Sequence, residues 1–161
     1  MIEIYAKNRL LVKRKLRYYA SGEDKMKVFI ICAKRFYNEI PRIQEKLKEL
    51  GHSVTLPVLY EIPQAEDQAK AQGEEIYAEF KRNTYMKSSR LIAEADAVLC
   101  LNFEKKGVAN YIGSGTFLEI FQAFMDGKKI YLWNYVPEGT LFDELSGFMP
   151  ISLKRNLKRM I

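Results

Sequence analysis

Short apolar runs alternate along this chain with segments of helical periodicity. The segments "KVFIIC" (27–32), "AVLCLN" (97–102) and "KKIYLWN" (128–134) have the length and composition of buried strands. A fourth strand, "HSVTLPV" (52–58), ends near Pro57, because proline lacks the N–H that a strand ladder needs. Residues 36–51, 74–93 and 116–127 predict the intervening helices. Strands that are apolar throughout are covered on both faces. The alternation therefore predicts a doubly wound α/β fold, flavodoxin- or Rossmann-like, with a parallel sheet of four to five strands and helices on both faces.

Charge and pattern divide the chain into three segments. Residues 26–150 carry the α/β pattern, residues 1–25 are a basic N-terminal extension, and residues 151–161 are a basic amphipathic C-terminal tail. Each terminal segment has a net charge of +4, whereas the central 125 residues have −2. Nucleic-acid binding is disfavoured, because the positive charge does not form a groove across the domain. Residues 58–73 include Pro63 and Gly73 and predict a polar loop long enough to act as a mobile flap.

Composition also narrows the kinds of protein that the chain can be. No apolar run reaches the roughly 18 residues that span a bilayer, so no membrane partner is predicted. The first residues lack the pattern of a signal peptide, which favours a cytoplasmic location. Cys32 and Cys100 lie in apolar runs and, with the single histidine, His52, make no metal-ligand spacing. We predict neither a metal nor a cofactor.

The order of strands and helices indicates where a ligand binds. In a doubly wound sheet, ligands bind beyond the carboxyl ends of the strands, which here are the segments after Cys32, Val58, Asn102 and Asn134. His52 precedes a strand and is expected at the opposite edge, so mechanisms that need a histidine base are disfavoured. No glycine-rich phosphate loop follows the first strand, which makes dinucleotide binding a weak interpretation.

The stretch "GSGTFLE" (113–119) is the strongest candidate for chemistry. Its glycines allow a tight turn and the close approach of a ligand, and the N–H groups of the following helix favour the ionised form of Glu119. An ionised carboxylate beside a sugar is able to attack the anomeric carbon as a nucleophile. The alternative is structural: Thr116 as N-cap and Glu119 three residues later form a capping box. The residues alone leave both interpretations open.

Residues 95–134 resemble the nucleoside 2-deoxyribosyltransferase-like superfamily. Its members show an "AD", a hydrophobic strand, a loop, and then "GTxxExxxAxxxGK" before the next strand, a pattern of moderate specificity. On this pattern fall Gly115, Thr116, Glu119, Ala123, Gly127 and Lys128. The tetrapeptide "NYIG" (110–113) is similar to the loop of an uncharacterised branch of the superfamily.

The resemblance implies that Glu119 is the nucleophile that attacks C1′ of a deoxyribose. It also implies self-association, since members commonly complete the active site with a neighbouring subunit. Two departures from the pattern are visible. Gly113 replaces the aspartate that the transferases carry six residues before the glutamate, and the loop after the first strand reads Cys32–Arg35, where glycine or an aromatic is usual.

We expect the substrate to be a nucleoside or nucleoside monophosphate. Lys34 and Arg35 either hold a phosphate or are solvated charges, and their presence favours nucleotides over nucleosides. Asn102 and Asn110 either contact the ligand or close turns, and Tyr111 is a ligand contact or a core aromatic. The expected substrate-binding residues are Cys32, Ala33, Lys34, Arg35, Phe36, Asn102, Asn110, Tyr111, Gly113, Ser114, Gly115 and Thr116.

The function predicted from these observations is cleavage or transfer of an N-glycosidic bond through a glutamate nucleophile. The alternative is a non-catalytic nucleotide-binding module on the same fold, with Glu119 as a cap or a ribose hydrogen-bond acceptor. A small-molecule nucleoside or nucleotide is the expected partner in both cases, and a dimer or larger homo-oligomer is expected. Apolar residues on the helix at 116–127 and in the tail favour this association.

Overall fold

The structure of the chain is a computed structural model that describes residues 25–160. The predicted N-terminal extension, residues 1–25, lies outside the described residues apart from Lys25, and so does Ile161.

Within residues 25–160, a parallel sheet of five strands forms the centre of the fold. The strands are β1 (Lys27–Ile31), β2 (Ser53–Thr55), β3 (Ala97–Cys100), β4 (Lys129–Leu132) and β5 (Ile151–Ser152), in the spatial order β2-β1-β3-β4-β5. All four neighbouring pairs are parallel, with Phe29 opposite Val98 and Val98 opposite Ile130 at the middle of the sheet. The fold class predicted from the alternating pattern is confirmed.

Five α-helices connect or follow the strands. They are α1 (Ile40–Glu49), α2 (Ala65–Ala71), α3 (Glu74–Glu94), α4 (Ser114–Met125) and α5 (Phe142–Gly147). Two short 3-10 turns, Lys34–Glu39 and Leu157–Arg159, complete the secondary structure of the described residues. The helix predicted at 74–93 is confirmed almost to the residue, because it ends where Ala95 turns into β3.

Both faces of the sheet are covered, as the apolar strands require. Alternate residues of β1 point to opposite sides: Val28 and Ile30 pack in the layer that contains α1, and Phe29 and Ile31 pack in the layer that contains residues of α3, α4 and α5. The side chains of these four residues are fully buried. At roughly 25 cal/mol for each Å² of apolar surface removed from water, the two layers supply the main stabilisation of the fold.

The segment predicted as a loop, residues 58–73, contains the helix α2. The prediction gave too much weight to Pro63 and Gly73, which lie just outside the helix at either end. The sequence "AEDQAKA" between them has good helix formers. Its acidic residues lie in the first turn and its lysine in the last, and these charges stabilise the helix by interacting favourably with its dipole. A helix of seven residues therefore stands at this end of the sheet where a flexible flap was expected.

The segment predicted as a basic tail belongs to the core. Ile151–Ser152 forms β5 beside β4, and Leu153, Leu157 and Met160 are buried against the layer that contains α1. The tail therefore provides no apolar stripe for association, as far as residue 160. Four basic residues lie between these apolar positions. An apolar residue at every third or fourth position is expected both of a segment packed on the core and of an amphipathic tail, so the sequence pattern did not distinguish the two.

The two edges of the sheet differ as the strand order predicts. His52 lies at the amino edge, where its Nδ1 accepts a hydrogen bond from the N–H of Met26 at 3.1 Å, and Asp96 lies at the same edge, where it accepts one from the N–H of Lys27 at 2.7 Å. No helix within residues 25–160 is both long and apolar enough to cross a membrane.

Candidate functional site

A cleft of about 270 Å³ opens at the carboxyl edge of the sheet. It lies beside the ends of β1 and β3, where the connection from β1 runs to β2 on one side and the connection from β3 runs to β4 on the other. This is the switch point at which doubly wound folds bind ligands. Its volume is close to the lower end of the range for small-molecule sites, about 300 Å³. The residues that line it are Cys32, Ala33, Lys34, Tyr37, Pro57, Val58, Leu59, Glu66, Lys81, Thr84, Tyr85, Ser88, Tyr111, Gly113, Ser114, Gly115, Thr116 and Glu119.

Glu119 lies in the wall of this cleft, and it is not a helix cap. The helix α4 begins at Ser114 with Gly113 as its N-cap residue, so Thr116 is already inside the helix and the expected capping box does not form. Glu119 is instead the sixth helical residue, and its Oε1 accepts a hydrogen bond of 2.5 Å from the Ser88 hydroxyl on α3. The structural alternative that the sequence left open is thus wrong.

Burial dominates the electrostatics of Glu119. Desolvation raises its pKa from the ordinary 4.5 to about 7, while the Ser88 hydrogen bond and the charge of Lys81 act in the opposite direction. The helix N-terminus was expected to favour the ionised form. That expectation fails because Glu119 lies beyond the first turn, where the potential of the N–H groups has fallen off. The carboxyl is therefore close to half-ionised at neutral pH.

Two other titratable groups at the end of β1 line the cleft. Burial raises the pKa of the Cys32 thiol, and the nearby charge of Glu119 raises it further. Burial likewise raises the pKa of the Tyr37 hydroxyl, with smaller effects from Cys32 and Glu119. Both groups are protonated at neutral pH, so Cys32 does not provide a thiolate nucleophile and Tyr37 is available as a hydrogen-bond donor.

Each of the two lysines in the cleft is paired with a carboxylate of α2. Lys34 Nζ donates to Asp67 Oδ2 at 2.7 Å, and Lys81 Nζ donates to Glu66 Oε1 at 3.1 Å. The Tyr77 hydroxyl donates to the same Glu66 oxygen at 3.2 Å. The helix that replaces the expected loop thus brings two acidic side chains to the rim of the cleft.

Aromatic and apolar residues form part of the wall of the cleft. Tyr37, Tyr85 and Tyr111 line it together with the apolar Pro57, Val58 and Leu59. A side chain at Gly113 would emerge against Tyr111, because an added Cβ would lie 3.2 Å from the Tyr111 hydroxyl oxygen. Tyr111 therefore occupies the space into which a side chain at position 113 would extend.

Four of the expected substrate-binding residues do not line the cleft. Arg35 is exposed, Phe36 is buried against the Phe103 ring with their centroids 5.5 Å apart, and Asn110 has a left-handed backbone in the loop after β3, with φ of 55°. The fourth is Asn102, whose side chain has a structural role.

Asn102 joins the ends of neighbouring strands. Its Nδ2 donates to the Tyr135 carbonyl at 2.8 Å, and its Oδ1 accepts from the Asn134 N–H at 2.8 Å. Asn134 in turn donates to the Asn102 carbonyl and accepts from Arg155 Nε. Since Asn102 is fully buried, these bonds use its polar atoms to hold the carboxyl ends of β3 and β4 together.

Several lining residues were missed by the sequence analysis, chiefly those on α2 and α3. Lys81, Thr84, Tyr85 and Ser88 recur at spacings of three and four, which places them on one face of α3. That spacing was visible in the sequence. What was not visible is that this face meets α4 at Glu119, since the contact depends on how the two helices pack.

Comparison with known proteins gives a distant likeness. No family model and no curated protein sequence matches the chain. Among solved structures, the chain is similar to a 2-deoxyribosyltransferase from Bacillus psychrosaccharolyticus, with 18% identity, a TM-score of 0.45, and coverage of 66% of this chain and 70% of that one. It is also similar to a CMP N-glycosidase from Clostridium botulinum, with 20% identity, a TM-score of 0.42, and coverage of 78% and 84%. At these identities, what those two proteins act on does not transfer to this chain.

The ionisation of Glu119 is measurable without any substrate. In carbon-detected NMR of the isotope-labelled protein, we expect one glutamate carboxyl to titrate at about 7 and to disappear in Glu119→Gln. Ser88→Ala should move this titration to higher pH, because the lost hydrogen bond stabilised the ionised form. A Glu119 titration near 4.5, or one that Ser88→Ala leaves unchanged, would contradict this description of the site.

Proposed function

We propose that the chain cleaves or transfers the N-glycosidic bond of a nucleoside or nucleoside monophosphate, with Glu119 as the nucleophile. The observation that carries the proposal is the position of its carboxylate: in the wall of the cleft, raised in pKa by burial, and held through one oxygen by Ser88. The resemblance of residues 95–134 to the deoxyribosyltransferase-like superfamily gives further support, because its nucleophilic glutamate falls on this residue.

The reaction that this geometry favours has two steps. In the first, Glu119 Oε2 attacks C1′ of the sugar, the C–N bond breaks, and its electron pair leaves with the base nitrogen, which takes up a proton. In the second, water or the N–H of a second base attacks C1′ and gives up a proton to solvent, the ester bond to Glu119 breaks, and the carboxylate is regenerated with retention of configuration at C1′. The Ser88 hydroxyl, bonded to Oε1, fixes the carboxylate orientation for the attack.

The chain's own side chains suggest how the rest of the substrate is held. Tyr37, Tyr85 and Tyr111 line the cleft and are the side chains that we assign to stack on a base. The backbone of Gly113 and Gly115 at the start of α4 lets the sugar approach closely, and an added Cβ at Gly115 would meet open space. A protonated Tyr37 is the side chain that we assign to donate a hydrogen bond toward the leaving base.

Glu119→Gln tests the proposal most simply. Base release from a panel of ribo- and deoxyribonucleosides and their monophosphates, with and without a second free base, should fall by at least about 1,000-fold, because an amide cannot form the glycosyl ester. Glu119→Asp keeps the charge but withdraws it by one methylene, so its rate should fall by roughly 100-fold and remain measurable. Release that requires the free base would identify a transferase.

Stability measurements on the same variants show whether a loss of base release comes from lost chemistry or from lost folding. Because the folded-state pKa of Glu119 is raised, wild type should lose stability as the pH rises from about 4.5 to about 7. Glu119→Gln lacks this dependence and should be more stable than wild type at pH 8, by at most roughly 3 kcal/mol.

Undiminished base release by Glu119→Gln would refute the proposal that Glu119 is the nucleophile. Tight binding without release by wild type would favour the binding module.

We also propose that the chain forms a homo-oligomer in the cytoplasm, with α4 in the interface. Leu118, Phe121, Phe124 and Met125 on α4 are each more than 40% exposed. The ring of Phe124 stacks on Phe148 with centroids 4.9 Å apart, so the apolar surface continues beyond the helix. A continuous apolar patch of this kind is typical of an interaction site.

Light scattering at micromolar concentration tests the association. Wild type should give a mass that is a multiple of 18.8 kDa, and Phe121→Ser with Met125→Ser should lower it toward the monomer. The matched control is Ile76→Ser on α3, which removes a similarly exposed apolar side chain outside this patch. A monomeric wild type would rule the oligomer out.

A further inference from the structure

The charges of the cleft bear on which ligand it accepts. Among the described residues that line it, the cations are Lys34 and Lys81. Three carboxylates lie near these two lysines: Asp67 is bonded to Lys34, Glu66 is bonded to Lys81, and Glu119 is close enough for the charge of Lys81 to lower its pKa. The local balance is therefore negative whenever Glu119 is ionised.

We infer that Glu66 and Asp67 are specificity-determining residues that select an uncharged nucleoside over its 5′-monophosphate. This inference rests on the proposed function and names the substrate class within it. A phosphate carries close to two negative charges above pH 7 and binds where free cationic or N–H donors surround it. Here both lysines already donate to carboxylates whose charges offset theirs, so a phosphate gains no net positive charge from these side chains and lies close to Asp67 or Glu66.

The two ion pairs differ in how strongly they oppose a phosphate. The Lys34–Asp67 pair is open to solvent, with 39% and 75% of the side chains exposed, so it is easily exchanged. The Lys81–Glu66 pair is less exposed, at 30% and 28%, and Glu66 also accepts the hydrogen bond from Tyr77. Water screens this second pair less, so Glu66 is expected to contribute more of the selection than Asp67 does.

The position of Arg35 agrees with this assignment. It is the other basic side chain next to the end of β1, and the sequence made it a candidate for phosphate contact, yet it is exposed outside the cleft. An uncharged ligand avoids the repulsion and leaves both ion pairs intact, which keeps α2 attached to the loop after β1 and to α3.

Calorimetry with carbocyclic 2′-deoxynucleosides and their 5′-monophosphates tests the inference. These analogues have a methylene in place of the ring oxygen, so they keep the base attached and report binding alone. At pH 8, wild type should bind at least one nucleoside about tenfold or more tighter than the matching monophosphate. In Glu66→Gln with Asp67→Asn, which keeps both shapes and removes two charges, the monophosphate should gain about tenfold while the nucleoside changes little.

The matched control is Glu79→Gln, which removes one acidic charge from an exposed position of α3 outside the cleft. It should leave the ratio of the two affinities unchanged.

A wild type that binds the monophosphate as tightly as the nucleoside, or more tightly, overturns the inference and leaves the proposed cleavage standing. A double variant that only loses nucleoside affinity also overturns it, since the carboxylates would then merely fasten α2. Selective nucleoside binding without base release in the activity assay would support the inference and refute the proposed function.

Discussion

The site depends on one unfavourable placement, a carboxyl group packed between two helices at the edge of the sheet. Burial of Glu119 stabilises its neutral form. The hydrogen bond from the Ser88 hydroxyl stabilises the ionised form and replaces part of the hydration that this form loses. Such a placement lowers the stability of the fold at neutral pH. Under the proposed function it also gives reactivity, because a poorly solvated carboxylate is a better nucleophile than a solvated one. The raised pKa and the position in a cleft together distinguish Glu119 from the other carboxylates of the described residues.

The topology of the sheet explains why the placement is possible. The strand order β2-β1-β3-β4-β5 opens a crevice where the connections leave β1 and β3 in opposite directions, and α4 begins at this edge with Gly113. The buried layers on both faces and the bonds of Asn102 keep the strand ends fixed. A rigid scaffold then holds α3 and α4 close enough for Ser88 to reach Glu119, which a flexible loop would not do reliably. The selectivity that we infer for Glu66 and Asp67 acts at the rim of the cleft, through their bonds to Lys81 and Lys34, and not through the Ser88–Glu119 pair.

How much the sequence predicted depends on the range of the interactions involved. The apolar strands and the helix at 74–93 are set by local pattern, and the fold class followed from them. Glu119 was identifiable because glycines, a helix start and a carboxylate stood within seven residues. The capping box was a plausible error, since its four-residue pattern is complete and only the true helix start, two residues earlier, excludes it. Ser88 and Glu66 were not predictable as site residues, because their partners lie 31 and 15 positions away and meet them only when helices pack.

The central claim is that Glu119 forms a covalent bond with the sugar, and a trapped intermediate tests it most directly. Wild type mixed with a 2′-deoxy-2′-fluoronucleoside, whose fluorine slows the breakdown of a glycosyl ester more than its formation, should gain the mass of one fluorosugar in intact mass spectrometry. Peptide mapping should assign the added mass to Glu119, and Glu119→Gln should remain unmodified. Base release without any adduct, or an adduct on another residue such as Cys32, would contradict the account.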